Sequence, residues 1–152
     1  MNEVSRLKDQ LARTLAGGAW HGPSLNEALS GVSAEQAKAR PIPSAHTIWE
    51  IVRHVVAWEK VILSGIKGHY LSIPEEEDWP KITDTTEANW QKSLKELKEV
   101  HHALEEAVSK LSAEQLDSAA EGTKDTVGFF VHGIIQHNIY HAGQMALLKK
   151  VV

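Results

Sequence analysis

The chain has 152 residues, of which 42% are hydrophobic and 24% are charged, and this composition predicts one globular domain, 1–152, with a sizeable core. The net charge is −4 and there is no basic run, which excludes nucleic-acid binding driven by phosphate contacts. There is no cysteine, so a metal would need histidine or carboxylate ligands. Because no signal peptide and no apolar run of roughly 20 residues is present, we expect a cytoplasmic protein without a membrane partner.

The first half of the chain predicts two long helices joined by short helical turns. The first helix spans 3–16 and ends at a Gly-Gly pair, which interrupts helical structure. Its apolar stripe has helical spacing and consists of Val4, Leu7, Leu11 and Leu15. Brief turns follow near 24–29 and 33–36. A Thr-Ile-Trp-Glu capping box then opens the second long helix, 47–67, which ends before a glycine.

The second half of the chain predicts two more long helices. Residues 69–83 contain two prolines and an acidic run, which are typical of a loop. A third long helix begins near Thr86, and its apolar residues alternate three and four positions apart, the spacing of a bundle seam. One short turn at 112–115 precedes the last long helix, 127–149. Because no stretch alternates with period two, the sequence predicts an all-α, antiparallel four-helix bundle with short extra helical turns.

His137 and His141 stand four residues apart on the last predicted helix. Side chains at this spacing share one helix face, with Cβ atoms roughly 5–6 Å apart, so the two imidazoles can clamp a divalent metal. The pair is half of a site, because a catalytic metal usually takes three protein ligands and keeps one position open. The same spacing also suits two histidines that only form hydrogen bonds, so the pair alone leaves both interpretations open.

A third ligand could come from the second long helix. His54 lies on the flank of the apolar stripe, from which a side chain either reaches the pair across a bundle core or fills space as a hydrogen-bonded histidine. Glu59 lies within the stripe, where it would orient a ligand imidazole or else sit at a solvated rim. Gln144 follows His141 by three residues and could hydrogen-bond a ligand. Three neutral imidazoles would suit zinc, nickel, iron or copper.

The remaining histidines are weaker candidates for a site. His101 falls on the apolar seam of the third long helix. There it would line a cavity, close a metal site as a fourth ligand, or serve as a core histidine with a backbone partner. We expect His102 and His132 in solvent. Three others could lie at the mouth of a cavity, namely His21, His46 and His69.

Four segments of the sequence carry a family resemblance. Residues 44–59 read Ser-Ala-His-Thr-Ile-Trp-Glu-Ile-Val-Arg-His-Val-Val-Ala-Trp-Glu, and residues 137–144 read His-Asn-Ile-Tyr-His-Ala-Gly-Gln. Both resemble motifs of the DinB-like (YfiT-like) superfamily, whose last helix carries His-x-x-Tyr-His-x-Gly-Gln. Trp-His-Gly-Pro-Ser-Leu at 20–25 and Asp-Trp-Pro at 78–80 are similar as well, so the resemblance covers essentially the whole chain.

The resemblance implies an up-down-down-up four-helix bundle in which one divalent metal is held by His54, His137 and His141. It also implies a homodimer and, as in some relatives, a metal-dependent transferase or isomerase that uses a low-molecular-weight thiol such as bacillithiol, mycothiol or glutathione. Two alternatives stay open, a metal-dependent hydrolase with Glu59 as general base and a non-catalytic metal-binding or structural protein. A small-molecule substrate or thiol is therefore the expected partner.

Overall fold

The structure, a computed structural model, describes residues 2–152 and is built from eight helices. The four long helices are α1 (Glu3–Ala16), α4 (Ile48–Ile66), α6 (Glu87–Ser109) and α8 (Val127–Leu148). The four short helices are α2 (Leu25–Leu29), α3 (Ala34–Lys38), α5 (Glu75–Asp78) and α7 (Ala113–Asp117). Within residues 2–152 there is no strand, only an isolated bridge, so the predicted all-α class is confirmed.

Side-chain caps explain where the long helices begin. The hydroxyl of Thr47 accepts a hydrogen bond from the Glu50 amide while the Glu50 carboxylate accepts one from the Thr47 amide, so the predicted capping box opens α4. Thr86 and Thr126 cap α6 and α8 with their hydroxyls alone, without a returning carboxylate. These caps determine the residues at which α4, α6 and α8 begin.

The predicted loop at 69–83 is wrong in one part, because α5 forms within it. Four consecutive acidic residues make up α5, and Pro74 stands at its N-cap position. Carboxylates are favoured in the first turn of a helix, where the unpaired amides carry partial positive charge. All four carboxylates of α5 stand in its first turn, where they stabilise it. The acidic run therefore forms one helical turn instead of irregular chain.

Buried apolar residues form two clusters, and each long helix contributes to both. The first cluster includes Leu15, Ile51, Val55, Leu97, Ala142 and Met145. The second cluster includes Leu7, Leu11, Ile62, Leu104, Val108 and Val131. Between them lies a polar layer with one buried side chain from each long helix, namely Thr14, Glu59, His101 and Asn138. Along α1 and α8 the chain passes from the second cluster to the first, whereas along α4 and α6 it passes from the first to the second.

The long helices pack around these clusters in a regular pattern. Helices α1 and α4 each contact both α6 and α8. In the part of the chain that the structure describes, none of the helices has both the length and the apolar character that crossing a bilayer requires. The contact between α4 and α8 is the one that positions the candidate site.

Candidate metal centre

Three histidines from two helices converge at the contact between α4 and α8. His137 and His141 lie one turn apart on α8, and His54 faces them from α4. One ring nitrogen from each of the three histidines lies within 4.8 Å of the other two, and Nε2 of His54 is 3.0 Å from Nε2 of His137. The structure therefore brings together the three histidines that the sequence and the family resemblance singled out. We call this group the histidine triad.

Hydrogen bonds on the outer side of the triad set the protonation of two rings. Nδ1 of His54 donates to the backbone carbonyl of Asp78 over 2.7 Å, and Nδ1 of His141 donates to Oε1 of Gln144 over 2.6 Å. Because both acceptors are carbonyl oxygens, each Nδ1 carries the proton and each Nε2 keeps a lone pair. This is the usual arrangement of a metal-binding histidine and the group that orients it.

The triad fits a divalent transition metal on electrostatic grounds. Burial, followed by the charges of the neighbouring imidazoles, lowers the pKa of His137 to about 4, and burial lowers that of His141 to about 4 as well. Burial also lowers the pKa of His54. Near neutral pH the rings are therefore neutral, the form in which imidazole binds metal. Nε2 of His54 and Nε2 of His137 lie 3.0 Å apart, close enough for both nitrogens to bind one cation, and the buried Nδ1 of His137 has no hydrogen-bond partner among the described residues.

A wall of aromatic and acidic side chains covers His54. The ring of Trp79 stacks on His54 with centroids 3.8 Å apart, and His46 stacks on the opposite face of Trp79 with centroids 3.5 Å apart. The carboxylate of Asp78 accepts a hydrogen bond from Nε1 of Trp58 over 2.7 Å and lies 3.2 Å from Nδ1 of His54. Sequence reasoning assigned no role to Asp78 and Trp79, and their only signal was the Asp-Trp-Pro resemblance.

Glu59 and His101 belong to the polar layer, away from the triad. The Oε1 atom of Glu59 accepts hydrogen bonds from Nδ1 of His101 and Nδ2 of Asn138, both over 2.7 Å. Glu59 is fully buried, so the expected solvated rim position is wrong, and its hydrogen bonds go to His101 and Asn138 instead of a triad imidazole. His101 also contacts the carbonyl of Leu11 over 3.1 Å, which confirms the core histidine with a backbone partner.

A cavity of about 430 Å³ opens beside the triad. We call it the triad groove, and its lining includes Ile42, Trp79, Tyr140, His141, Gln144 and Leu147. Trp79 and His141 line the groove, and the ring of each also packs against His54. A molecule in the groove would lie directly against the candidate metal centre. The exposed histidines at 102 and 132 lie outside both the triad and the groove, as expected.

Comparison with known proteins identifies the family of the chain. No curated protein and no solved structure matches the chain. A family model described as the DinB superfamily matches residues 19–145, which include the whole histidine triad. Because this match extends over most of the sequence, the chain belongs to the DinB superfamily.

Proposed function

We propose that the protein is a metal-dependent transferase that joins a low-molecular-weight thiol, of the bacillithiol, mycothiol or glutathione kind, to an electrophile. The thiol loses its proton, its sulfur forms a bond to carbon, and the bond from that carbon to a leaving group or an epoxide oxygen breaks, with the departing atom taking up a proton. His54, His137 and His141 would hold one divalent ion of zinc, nickel or iron. The observation that carries this proposal is a group of three neutral imidazoles with no fourth histidine or carboxylate in the cluster, within residues 2–152. Three protein ligands with an open position are the mark of a catalytic metal site, whereas structural sites are closed by a fourth.

The residues around the triad support this chemistry in distinct ways. A bound metal would keep a thiol ionised near neutral pH, as coordinating cations do. Gln144 holds the ring of His141, and the carbonyl of Asp78 holds that of His54. Trp79 covers one face of His54 and limits the access of water from that side. The low pKa values of His137 and His141 favour metal binding over protonation.

Hydrolysis receives less support, because it needs a general base next to the site. Glu59 is the carboxylate expected in that role, and it is hydrogen-bonded to His101 and Asn138 in the polar layer. The carboxylate of Asp78 already accepts a hydrogen bond from Trp58 and lies against Nδ1 of His54. Thiol transfer needs no such base once the thiol is ionised.

We also infer that the four long helices form an antiparallel bundle of up-down-down-up type. The order of the two apolar clusters supports it, since α1 and α8 pass through them in one direction and α4 and α6 in the other. In such a bundle the two histidines of α8 face the one of α4 across an antiparallel contact. The single domain, the cytoplasmic location and the homodimer remain predictions from the sequence and the family resemblance.

The first experiment is to measure metal content on untagged protein by mass spectrometry and then to titrate each of the three thiols calorimetrically into the loaded protein. We expect about one metal per chain and saturable binding of one thiol. His137→Ala should lose the metal, whereas His132→Ala, a matched control on the same helix with a 55% exposed side chain, should keep it. Equal metal content in both variants would refute the ligand assignment. Metal without thiol binding or conjugation would refute the transferase and favour a structural metal protein.

A further inference from the structure

We propose that the triad groove binds an uncharged, apolar small molecule, and that this molecule is the electrophile of the transfer reaction. The inference rests on the proposed function for the role of the ligand, but the chemical class of the ligand comes from the groove alone. Four features of the groove support it: its position, the absence of lysine, arginine, aspartate and glutamate from its lining, its exposed apolar rim and its neutral polar groups.

The first feature is the position of the groove. Trp79 and His141 line it, and both rings also pack against His54. A ligand seated there would therefore lie within contact distance of the residues that build the candidate metal centre. The volume of about 430 Å³ falls in the range of small-molecule sites, which is roughly 300–1,000 Å³.

The second feature is charge. No lysine, arginine, aspartate or glutamate lines the triad groove, and its titratable side chains are His46, Tyr140 and His141. The contrast with a larger groove of about 620 Å³ between α4 and α6 is clear, because charged side chains such as Arg53, Lys81 and Glu96 line that one. A charged ligand loses hydration when it enters a pocket, and no carboxylate, ammonium or guanidinium group of the lining restores that loss. The lining of the triad groove therefore favours a neutral ligand over an anion or a cation.

The third feature is the rim of the groove. Ile42, Tyr140 and Leu147 line it and are 42%, 64% and 61% exposed. Large apolar side chains grouped at one exposed place mark a surface that contacts something other than water. Since the three side chains surround a cavity beside the triad, the apolar body of a small molecule is the occupant that fits them.

The fourth feature is a set of neutral polar groups inside the groove. The carbonyl oxygen of Gln144 accepts from His141, and among the described residues its amide NH₂ donates to no other group. Ser44 adds a hydroxyl to the lining. A few neutral donors in a mostly apolar pocket orient a ligand by a carbonyl, ether or epoxide oxygen. The expected ligand thus combines an apolar body with one uncharged polar group.

Binding can be tested on metal-free protein, in which no ligand can coordinate the ion, with the uncharged fluorescent dye N-phenylnaphthylamine. We expect saturable binding at one site per chain, and displacement of the dye by octanol. Octanoate and octylamine have the same chain length but carry a charge at neutral pH, and each should be about tenfold less effective, since a charge would be desolvated without a partner. Octanoate or octylamine that displaces the dye as well as octanol would overturn the proposal.

Matched variants locate the binding site. Leu147→Glu and Ile42→Glu place a carboxylate at the rim and should weaken dye binding about tenfold. Phe129→Glu is the control, because Phe129 is 59% exposed on the same helix as Leu147 but lies outside the groove. Circular dichroism and thermal unfolding establish that each variant is folded. If one of the two rim variants does not fold, the other still tests the groove. Equal dye binding by all three variants and the wild type would overturn the proposal.

The outcomes separate this inference from the transferase proposal. Dye binding that follows these expectations in a protein without thiol conjugation would support the neutral groove and refute only the transferase. Thiol conjugation that proceeds equally with neutral and carboxylate-bearing epoxides would support the transferase and refute the neutral groove. A protein that binds no dye, sediments as a dimer and becomes a monomer on Leu147→Glu would show that a second copy covers the groove, which overturns the small-molecule assignment.

Discussion

The buried pair of Glu59 and His101 should be worth several kcal/mol to the folded state, and a double-mutant cycle can measure it. Both side chains are fully buried, and His101 contacts Glu59 at 2.7 Å on one side and, on the other, the Leu11 carbonyl at 3.1 Å and the Glu105 carboxylate at 3.2 Å. His101→Leu removes these contacts and leaves the buried side chain of Glu59 with only Asn138 as donor. Breaking a buried pair in this way costs about 3–5 kcal/mol. For a chain of this size, each kcal/mol lowers the melting temperature by roughly 2–4 °C.

The assay is urea denaturation of metal-free protein, in which far-ultraviolet circular dichroism measures the folded fraction. His101→Leu should lower the free energy of unfolding by about 3–5 kcal/mol, and Glu59→Leu by a comparable amount. In the double variant both members of the buried pair are gone, so its loss should fall short of the sum of the single losses by roughly 1–3 kcal/mol. Losses that add to within about 0.5 kcal/mol would refute the coupling between the two side chains.

The same pair predicts how the loss depends on pH. Burial opposes a charge on His101, but the hydrogen bond and the charge of Glu59, together with the charge of Glu105 and the Leu11 carbonyl, outweigh it and raise the pKa of His101. A raised pKa means that the folded state favours the imidazolium, so this stabilisation is complete below the unfolded pKa of about 6.5. It is lost as the pH rises through the pKa of the folded state. The difference in stability between wild type and His101→Leu should therefore shrink toward alkaline pH, and a constant or growing difference would contradict the pair.

Two further predictions concern the triad. Asp78→Ala removes the carboxylate beside Nδ1 of His54 but keeps the backbone carbonyl that accepts its proton, and Trp79→Leu removes the ring stacked on His54. Each should weaken metal binding by about tenfold in a chelator competition, and unchanged affinity would show that these side chains do not support His54. In metal-free protein, stability should fall as the pH is lowered from about 6.5 toward 4, because the unfolded chain takes up protons that the buried rings resist. His137→Ala should flatten this dependence, since the pKa of His137 is about 4 in the folded protein. A urea midpoint that changes equally with pH in both proteins would count against the buried neutral triad.

Much of the fold could be predicted because its determinants are local. Capping side chains lie three residues from the amides that they bind, as Thr47 and Glu50 illustrate, so they are visible in a short window of sequence. The turn α5 was missed because an acidic run after a proline is also typical of a loop. Apolar spacing on the long helices likewise reports directly which face is buried.

The site was predictable only in part. His137 and His141 share a helix, so their proximity follows from spacing, whereas the position of His54 relied on the family resemblance. Asp78 lies 24 residues after His54, and His101 lies 42 residues after Glu59. Contacts between residues so far apart depend on how loops and helices pack, and no periodic signal in the sequence encodes them. The aromatic wall and the partner of Glu59 therefore required the structure.

The polar layer and the triad share two helices, α4 and α8, and this links stability to metal binding. Helices α4 and α8 are joined by Glu59 with Asn138 in the layer, and again by His54 with His137 at the site. Asn138 directly follows His137, so the buried hydrogen bond to Glu59 holds the backbone next to a ligand. Sliding α8 by one turn would move it about 5.4 Å and break that bond, because hydrogen bonds extend to only about 3.2 Å. The spacing of the triad is thus set by helix packing, which leaves little reorganisation for a metal to impose.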